Sequence, residues 1–191
     1  MKYQIGDRQI VHPDGYDWDN YAFGFRDFEF IANCIIRDKI QNILEIGAGL
    51  SSLLLSQLCH VDSLENDTHW CKRIHGTRRK GVHDLSLFWW DGKWFPDWLP
   101  GHYDAVFIDG PEETDKEQYK KLRFVGIPRR VSYEHAPGLT DVIWAHDAGR
   151  MAEMSYQLSY LAMDFRVTDI ILSDDKPWTP RYMTAWRRIV T

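Results

Sequence analysis

The sequence predicts an α/β protein built on an open, doubly wound, mostly parallel sheet of seven strands. Three observations carry that expectation. Short apolar runs alternate with stretches of helical periodicity along most of the chain. One run, Asn42 to Ile46, breaks off in Gly47-Ala48-Gly49 directly before an amphipathic stretch, which is a strand, a tight turn and a helix. The last two strand-like runs have no helix between them, so they pair antiparallel or lie apart. Right-handed crossovers between parallel strands leave few topologies for such an order.

In order along the chain, residues 1–25 are polar and aromatic, with a turn signal at His12-Pro13-Asp14-Gly15. They read as an arm or lid outside the sheet, and residues 26–191 read as a single domain. A helix from Arg26 to Asp38 sets Phe28, Ile31, Ala32, Ile35 and Ile36 on one face. The first strand, 42–46, is interrupted by Glu45, and its helix, 51–59, continues the Leu50, Leu53, Leu54, Leu58 spacing. The second strand, 61–65, ends in Glu65. Asp67 then caps a helix that carries Trp70, Cys71 and Ile74 inward and ends near Gly76.

A third strand spans 85–90, followed by Asp91-Gly92 and a loop rich in Trp and Pro. The fourth, 103–108, ends at Asp109-Gly110-Pro111, with a charged helix over 113–124. Residues 126–140 read as irregular, because Pro128 and Pro137 bar a continuous helix. The fifth strand, 142–145, ends at His146-Asp147, and Met151, Met154, Leu158 and Leu161 line up as the packing face of the next helix. Strands over 165–172 and 183–190, joined by a proline-containing loop, close the chain.

Bulk properties narrow the setting. A chain of 191 residues, 44% apolar, suffices for one folded domain with a sizeable core. The net charge of −5 gives no general attraction to nucleic acid or to an anionic membrane. The basic clusters Arg78-Arg79-Lys80, Lys120-Lys121 and Arg129-Arg130 read as solvated faces. Cys34, Cys59 and Cys71 are odd in number and widely spaced, which argues against a disulfide framework or a zinc knuckle and for a reducing compartment. No signal-peptide core and no run of membrane-spanning length occurs, so a soluble, cytoplasmic protein is expected. The arm and the 126–140 loop are candidates for lids or for homo-oligomer contacts.

The glycine turn has a physical purpose. Gly47 and Gly49 permit positive φ and remove side chains where a ligand approaches the backbone, and the free N–H groups at the helix start can face a polar ligand. Glu65 lies about 20 residues past the turn, the separation at which a carboxylate ending the second strand reaches ribose hydroxyls. Ser51 two residues after Gly49, and no Gly-Lys-Ser/Thr, exclude the dinucleotide fingerprint and the P-loop.

Glu45-Ile46-Gly47-Ala48-Gly49-Leu50-Ser51, taken with Ser63-Leu64-Glu65-Asn66, resembles the class I methyltransferases that use S-adenosylmethionine. The resemblance covers about residues 26–191. It implies a Rossmann-like sheet closed by a C-terminal antiparallel hairpin. It also implies roles. Gly47 and Gly49 bring backbone near the methionine part of the cofactor, and Glu45 fixes the loop or meets the ammonium. Ser51 offers its hydroxyl or a helix-start N–H to the carboxylate, and Glu65 takes the ribose hydroxyls. Asp91 accepts from the adenine amino group beside Trp90.

The strand ends Asp109 and His146-Asp147 are the candidate catalytic residues. Acids there are similar to those of the metal-dependent O-methyltransferases, catechol-type and macrocin-type, whose carboxylates hold a divalent ion on the acceptor hydroxyl. Asp109 and Asp147 would be the ligands, and oxygen donors with open positions suit magnesium. The sequence departs from both patterns, since Ala148 follows Asp147 and His146 stands where the sugar-modifying type has an acid. The competing role for His146 is general base, oriented by Asp109 or Asp147.

The resemblance thus implies methyl transfer to a hydroxyl of a small molecule, a sugar or an aromatic compound. The aromatics of 16–25 and 89–98 either build its cleft or cover the sheet. No Asn/Asp-Pro-Pro-Tyr/Phe tetrapeptide is present, so no nucleic-acid partner is expected. The alternative is a cofactor-binding or partner-binding module without turnover. An aminopropyl-transfer enzyme would need a glycine- and acid-rich first loop, which Gly47-Ala48-Gly49-Leu50 does not provide.

Overall fold

The computed structural model describes residues 1–16, 18, 23–78, 83–90, 95–110, 127–148, 151–174 and 181–190. An antiparallel pair, β1 (Lys2–Ile5) and β2 (Arg8–Val11), precedes helix α1 (Phe25–Asp38). Then come β3 (Asn42–Ile46), α2 (Leu50–Leu55), β4 (His60–Glu65), α3 (Thr68–Arg78) and β5 (Leu85–Trp89). The second half holds β6 (Ala105–Ile108), α4 (Ile127–Leu139), β7 (Val142–Ala145), α5 (Met151–Tyr160), β8 (Phe165–Asp174) and β9 (Arg181–Arg188). Asp91 and the helix expected over 113–124 lie outside the described residues.

The central sheet has the order β5-β4-β3-β6-β7-β9-β8. Strands β3 to β7 are parallel, and β9 runs antiparallel between β7 and β8. The doubly wound sheet with its terminal hairpin is therefore present. Its central strands are covered on both faces and so read as near-continuous apolar runs. Ile43 joins α1 and α2 in one core, while Leu44 and Ile46 join Tyr133 of α4 and Leu161 in the other. The β1–β2 pair is separate from the sheet, but Ile5 and Ile10 are buried in the first core. Trp18 lies against Phe25 and Phe28 of α1, and Phe23 against Phe107 of β6. These aromatics cover the core rather than build a cleft. No helix among the described residues is long and apolar enough to cross a membrane.

Three local expectations are corrected. The first is the irregular 126–140 stretch, most of which is helix α4. Pro128 is tolerated in the first turn, where the N–H has no intrahelical partner. Pro137 falls in the last turn, where Arg188 Nη2 donates to its carbonyl. The second is α2, which has six residues rather than nine. Beyond it the chain closes in tighter turns, Gln57 N–H to Leu54 and Leu58 N–H to Leu55.

The third is the packing face of α5. Met154 and Leu158 are exposed, and Glu153, Gln157 and Leu161 are buried. Spacing by four still holds, but the inward face is polar because it has partners. Glu153 pairs with Arg129, and Gln157 accepts from Thr184 Oγ1.

A candidate active site at the carboxyl ends of the strands

Strand register brings the polar ends together. Ile46 pairs with both Leu64 and Ile108, Ile108 pairs with Ala145, and Glu65 pairs with Trp89. The chain proceeds outward from β3 to β5, then returns to β6 on the other side of β3. Ligands of open α/β sheets bind at such a reversal, outside the carboxyl ends. The loops after β3 and β6 flank it.

Those two loops touch through glycine. Gly47 has φ +95°, and a Cβ there would stand 2.6 Å from the Gly110 backbone. The converse Cβ on Gly110 would stand 2.5 Å from Gly47 Cα. Gly49 differs, because a Cβ there would meet nothing within 4 Å. Gly110 is a member of the site that the spacing of residues 47–49 did not disclose.

Glu45 is fully buried beneath this loop. It accepts hydrogen bonds from the hydroxyls of Ser51, Ser52 and Ser63. Burial pushes its carboxyl up to about 7, and the three serine donors oppose that rise. The hydroxyl of Ser51 is thus committed inward, leaving its backbone N–H as what it can offer a ligand. Glu65 Oε2 accepts from Ala48 N–H at 2.8 Å and Oε1 from Asp67 N–H at 2.6 Å. Burial raises Glu65 to about 7 as well, against the pull of these backbone donors. The Asn66 backbone N–H is a third donor, so of about four acceptor positions on the carboxylate one remains for a hydroxyl donor.

Across the switch point the chemistry is charged. His146 Nδ1 lies 2.9 Å from Asp109 Oδ1 and 3.8 Å from Asp147 Oδ1. Its Nε2 lies 3.4 Å from Oδ2 of Asp27, a residue of α1. Burial alone would lower the imidazole, but Asp109, Asp27 and Asp147 outweigh it and push His146 up to about 10. The side chain is 0% exposed. Its surroundings suit an imidazolium that holds carboxylates together, and they do not suit the free imidazole expected of a general base near neutral pH. Asp147 has φ +54°, a left-handed backbone that aspartate tolerates better than most residues. Asp109 is the most open of the acids at 12% side-chain exposure.

A buried cation completes the cluster. Arg129 Nη1 pairs with Glu153 Oε1 at 3.1 Å, and Nη2 donates to the Asp109 carbonyl at 3.2 Å. Its Nη2 also lies 3.8 Å from Asp147 Oδ2. The sequence reads Arg129-Arg130 as a solvated basic pair, whereas only Arg130 of the two is exposed. With α4 recognised, the face Arg129, Ser132, Tyr133, Ala136 would have turned it inward, and all four are buried. Asp109, His146 and Asp147 also offer one ligand atom each within 4.8 Å of one another, so His146 joins the two expected metal ligands.

Comparison with solved structures gives the same architecture. A Pyrococcus abyssi tRNA (uracil-54, C5)-methyltransferase, in complex with S-adenosyl-L-homocysteine, superposes with a TM-score of 0.55 at 14% identity, over 98% of this chain and 44% of that one. A proposed O-methyltransferase from Klebsiella pneumoniae gives 0.59 at 14% identity, over 93% and 84%. A variant of the branched-chain polyamine synthase of Thermus thermophilus, with N4-aminopropylspermidine and 5′-methylthioadenosine, gives 0.60 at 11%, over 84% and 55%. The chain has a Rossmann-like fold. Neither a family model nor a curated protein matches it in sequence. At these identities the likeness speaks for the fold, and one fold here serves different acceptors.

Proposed function

We propose that the protein is an S-adenosylmethionine-dependent methyltransferase acting on a hydroxyl of a small molecule. The observation that carries this reading is the pair of loops at the switch point. A glycine loop and a buried strand-end carboxylate lie on one side, and a cluster of acids opens beside them. Gly47 to Gly49 and Glu65 would hold the cofactor, whose open side is the space next to Gly49. Glu45 acts from beneath, fixing the loop through three hydroxyls. Asp91 is assigned to the adenine by resemblance alone.

S-adenosylmethionine, when bound, supplies an electrophilic methyl group on a sulfonium. The protein's part is to hold the acceptor in line and dispose of its proton. Asp109, the most open of the acids, would accept a hydrogen bond from the acceptor hydroxyl and take the proton as the oxygen attacks. His146 and Arg129 hold Asp109 and Asp147 in place. Asp109, His146 and Asp147 also fit a divalent cation, since Asp109 Oδ1 and His146 Nδ1 are buried without a hydrogen bond of ordinary geometry. An imidazole among the donors moves the preference from magnesium toward manganese or zinc.

Thermal unfolding with S-adenosylhomocysteine tests the reading, with 5′-methylthioadenosine and a nicotinamide dinucleotide as controls. A ligand at about 100 times its dissociation constant stabilises by roughly 2.7 kcal/mol, here a shift of about 5–10 °C. A shift with methylthioadenosine alone would favour aminopropyl transfer. No shift would retire the enzyme reading. Glu65→Ala should weaken S-adenosylhomocysteine binding by about tenfold or more, because the diol loses a charged acceptor. Methyl incorporation into small hydroxy compounds, compared with total RNA and run with and without chelator and manganese, then assigns acceptor and metal. Incorporation into RNA alone would overturn the small-molecule acceptor.

A further inference from the structure

We infer that Asp27 of α1 is a positioning residue that fixes the ring of His146. This rests on the reading of the Asp109–His146–Asp147 cluster as the active site. Asp27 is fully buried, although a carboxylate in the first turn of a helix ordinarily does its work at the surface. Its Oδ2 accepts from Gly24 N–H at 3.0 Å, which caps α1. The same oxygen faces His146 Nε2 at 3.4 Å, and Oδ1 has no hydrogen-bond partner among the described residues. Capping alone does not account for taking a second carboxylate oxygen out of water, which is costly.

The geometry divides the imidazole. Asp27 faces Nε2, so Nε2 carries its proton toward α1. Nδ1 is left toward Asp109 and Asp147, where it can carry a second proton or bind a cation. A carboxylate behind a histidine ring in this way sets both tautomer and orientation. Phe23 packs on Phe107 of β6, so the segment capped by Asp27 is seated on a strand of the site. The arm before α1 is thereby connected to the chemistry through one side chain.

Asp27→Asn is the test, because the amide oxygen keeps the acceptor for Gly24 N–H while the charge facing His146 is lost. Proton–nitrogen NMR of the full-length protein reads the His146 Nε2–H signal. Manganese binding is read by electron paramagnetic resonance, and S-adenosylhomocysteine affinity by calorimetry. In the wild type the Nε2–H signal should lie far downfield and exchange slowly. In Asp27→Asn it should move upfield and exchange faster, manganese should bind about 10–100-fold more weakly, and S-adenosylhomocysteine should bind unchanged. An unmoved Nε2–H signal overturns the inference, and so does an S-adenosylhomocysteine affinity that falls in parallel. If the wild type binds no manganese, the metal part of the proposed function fails, and the Nε2–H signal alone decides the role of Asp27.

Discussion

The two sides of the switch point bury carboxylates in opposite ways. On the β3–β4 side, Glu45 and Glu65 are met by serine hydroxyls and backbone N–H groups. On the β6–β7 side, Asp27, Asp109, Asp147 and Glu153 surround His146 and Arg129. Burial raises both glutamates to about 7, and their neutral donors offset that rise only in part. Charged partners make the cluster depend on every member. The first half is thus a preformed polar cradle. The second is an electrostatic assembly that shifts whenever a charge is added or removed.

That contrast is broken most severely at Arg129. Replacing it with alanine leaves Glu153 and Asp147 buried without their nearest arginine. Removing one partner of a buried ion pair costs about 3–5 kcal/mol. Chemical denaturation of Arg129→Ala should show a loss of that order, and adding Glu153→Gln should recover part of it. A loss below about 1 kcal/mol would mean that water already screens the cluster.

The two glycines of the cradle should separate next. Gly47→Ala meets the Gly110 backbone and needs a positive φ, so it should destabilise by about 1–3 kcal/mol. Gly49→Ala has open space and should leave stability nearly unchanged while weakening S-adenosylhomocysteine binding. Equal effects of the two variants on stability would show that the turn, and not the Gly47–Gly110 approach, sets the requirement.

Much of this was legible before the structure, and the reasons differ by residue. The alternation of strands and helices fixed the sheet, because parallel strands buried on both faces leave an apolar signature. Gly47, Glu65, Asp109, His146 and Asp147 could be gathered because the carboxyl ends of one sheet must lie side by side. What stayed hidden was polar burial. Periodicity points to Met154 and Leu158 rather than Glu153 and Gln157, since it counts apolar residues and a partnered acid is invisible to it. Arg129 is hidden with the helix that carries it, because Pro128 and Pro137 read as breaks while they occupy the first and last turns. Asp27 carries no local signal that separates it from other first-turn acids. Gly110 needed the contact with Gly47, a fact of tertiary packing that no local pattern contains.

The effect most specific to the cradle is one of pH. Burial raises Glu45 from its ordinary value of 4.5 to about 7 in the folded protein. At low pH the carboxyl is protonated in both states, and its contribution to stability is fully present. Between about pH 4.5 and 7 the unfolded chain releases the proton first, so that contribution is lost as pH rises and levels off above the folded value. Glu45→Gln carries no such proton, and the serine hydroxyls can rotate to meet its amide. The melting temperature of the variant relative to wild type should therefore improve from pH 5 to pH 8. A difference that stays constant would mean that Glu45 is ionised throughout, held so by its three serine donors against the cost of burial. The serine donors, and not burial, would then set the state of the cradle.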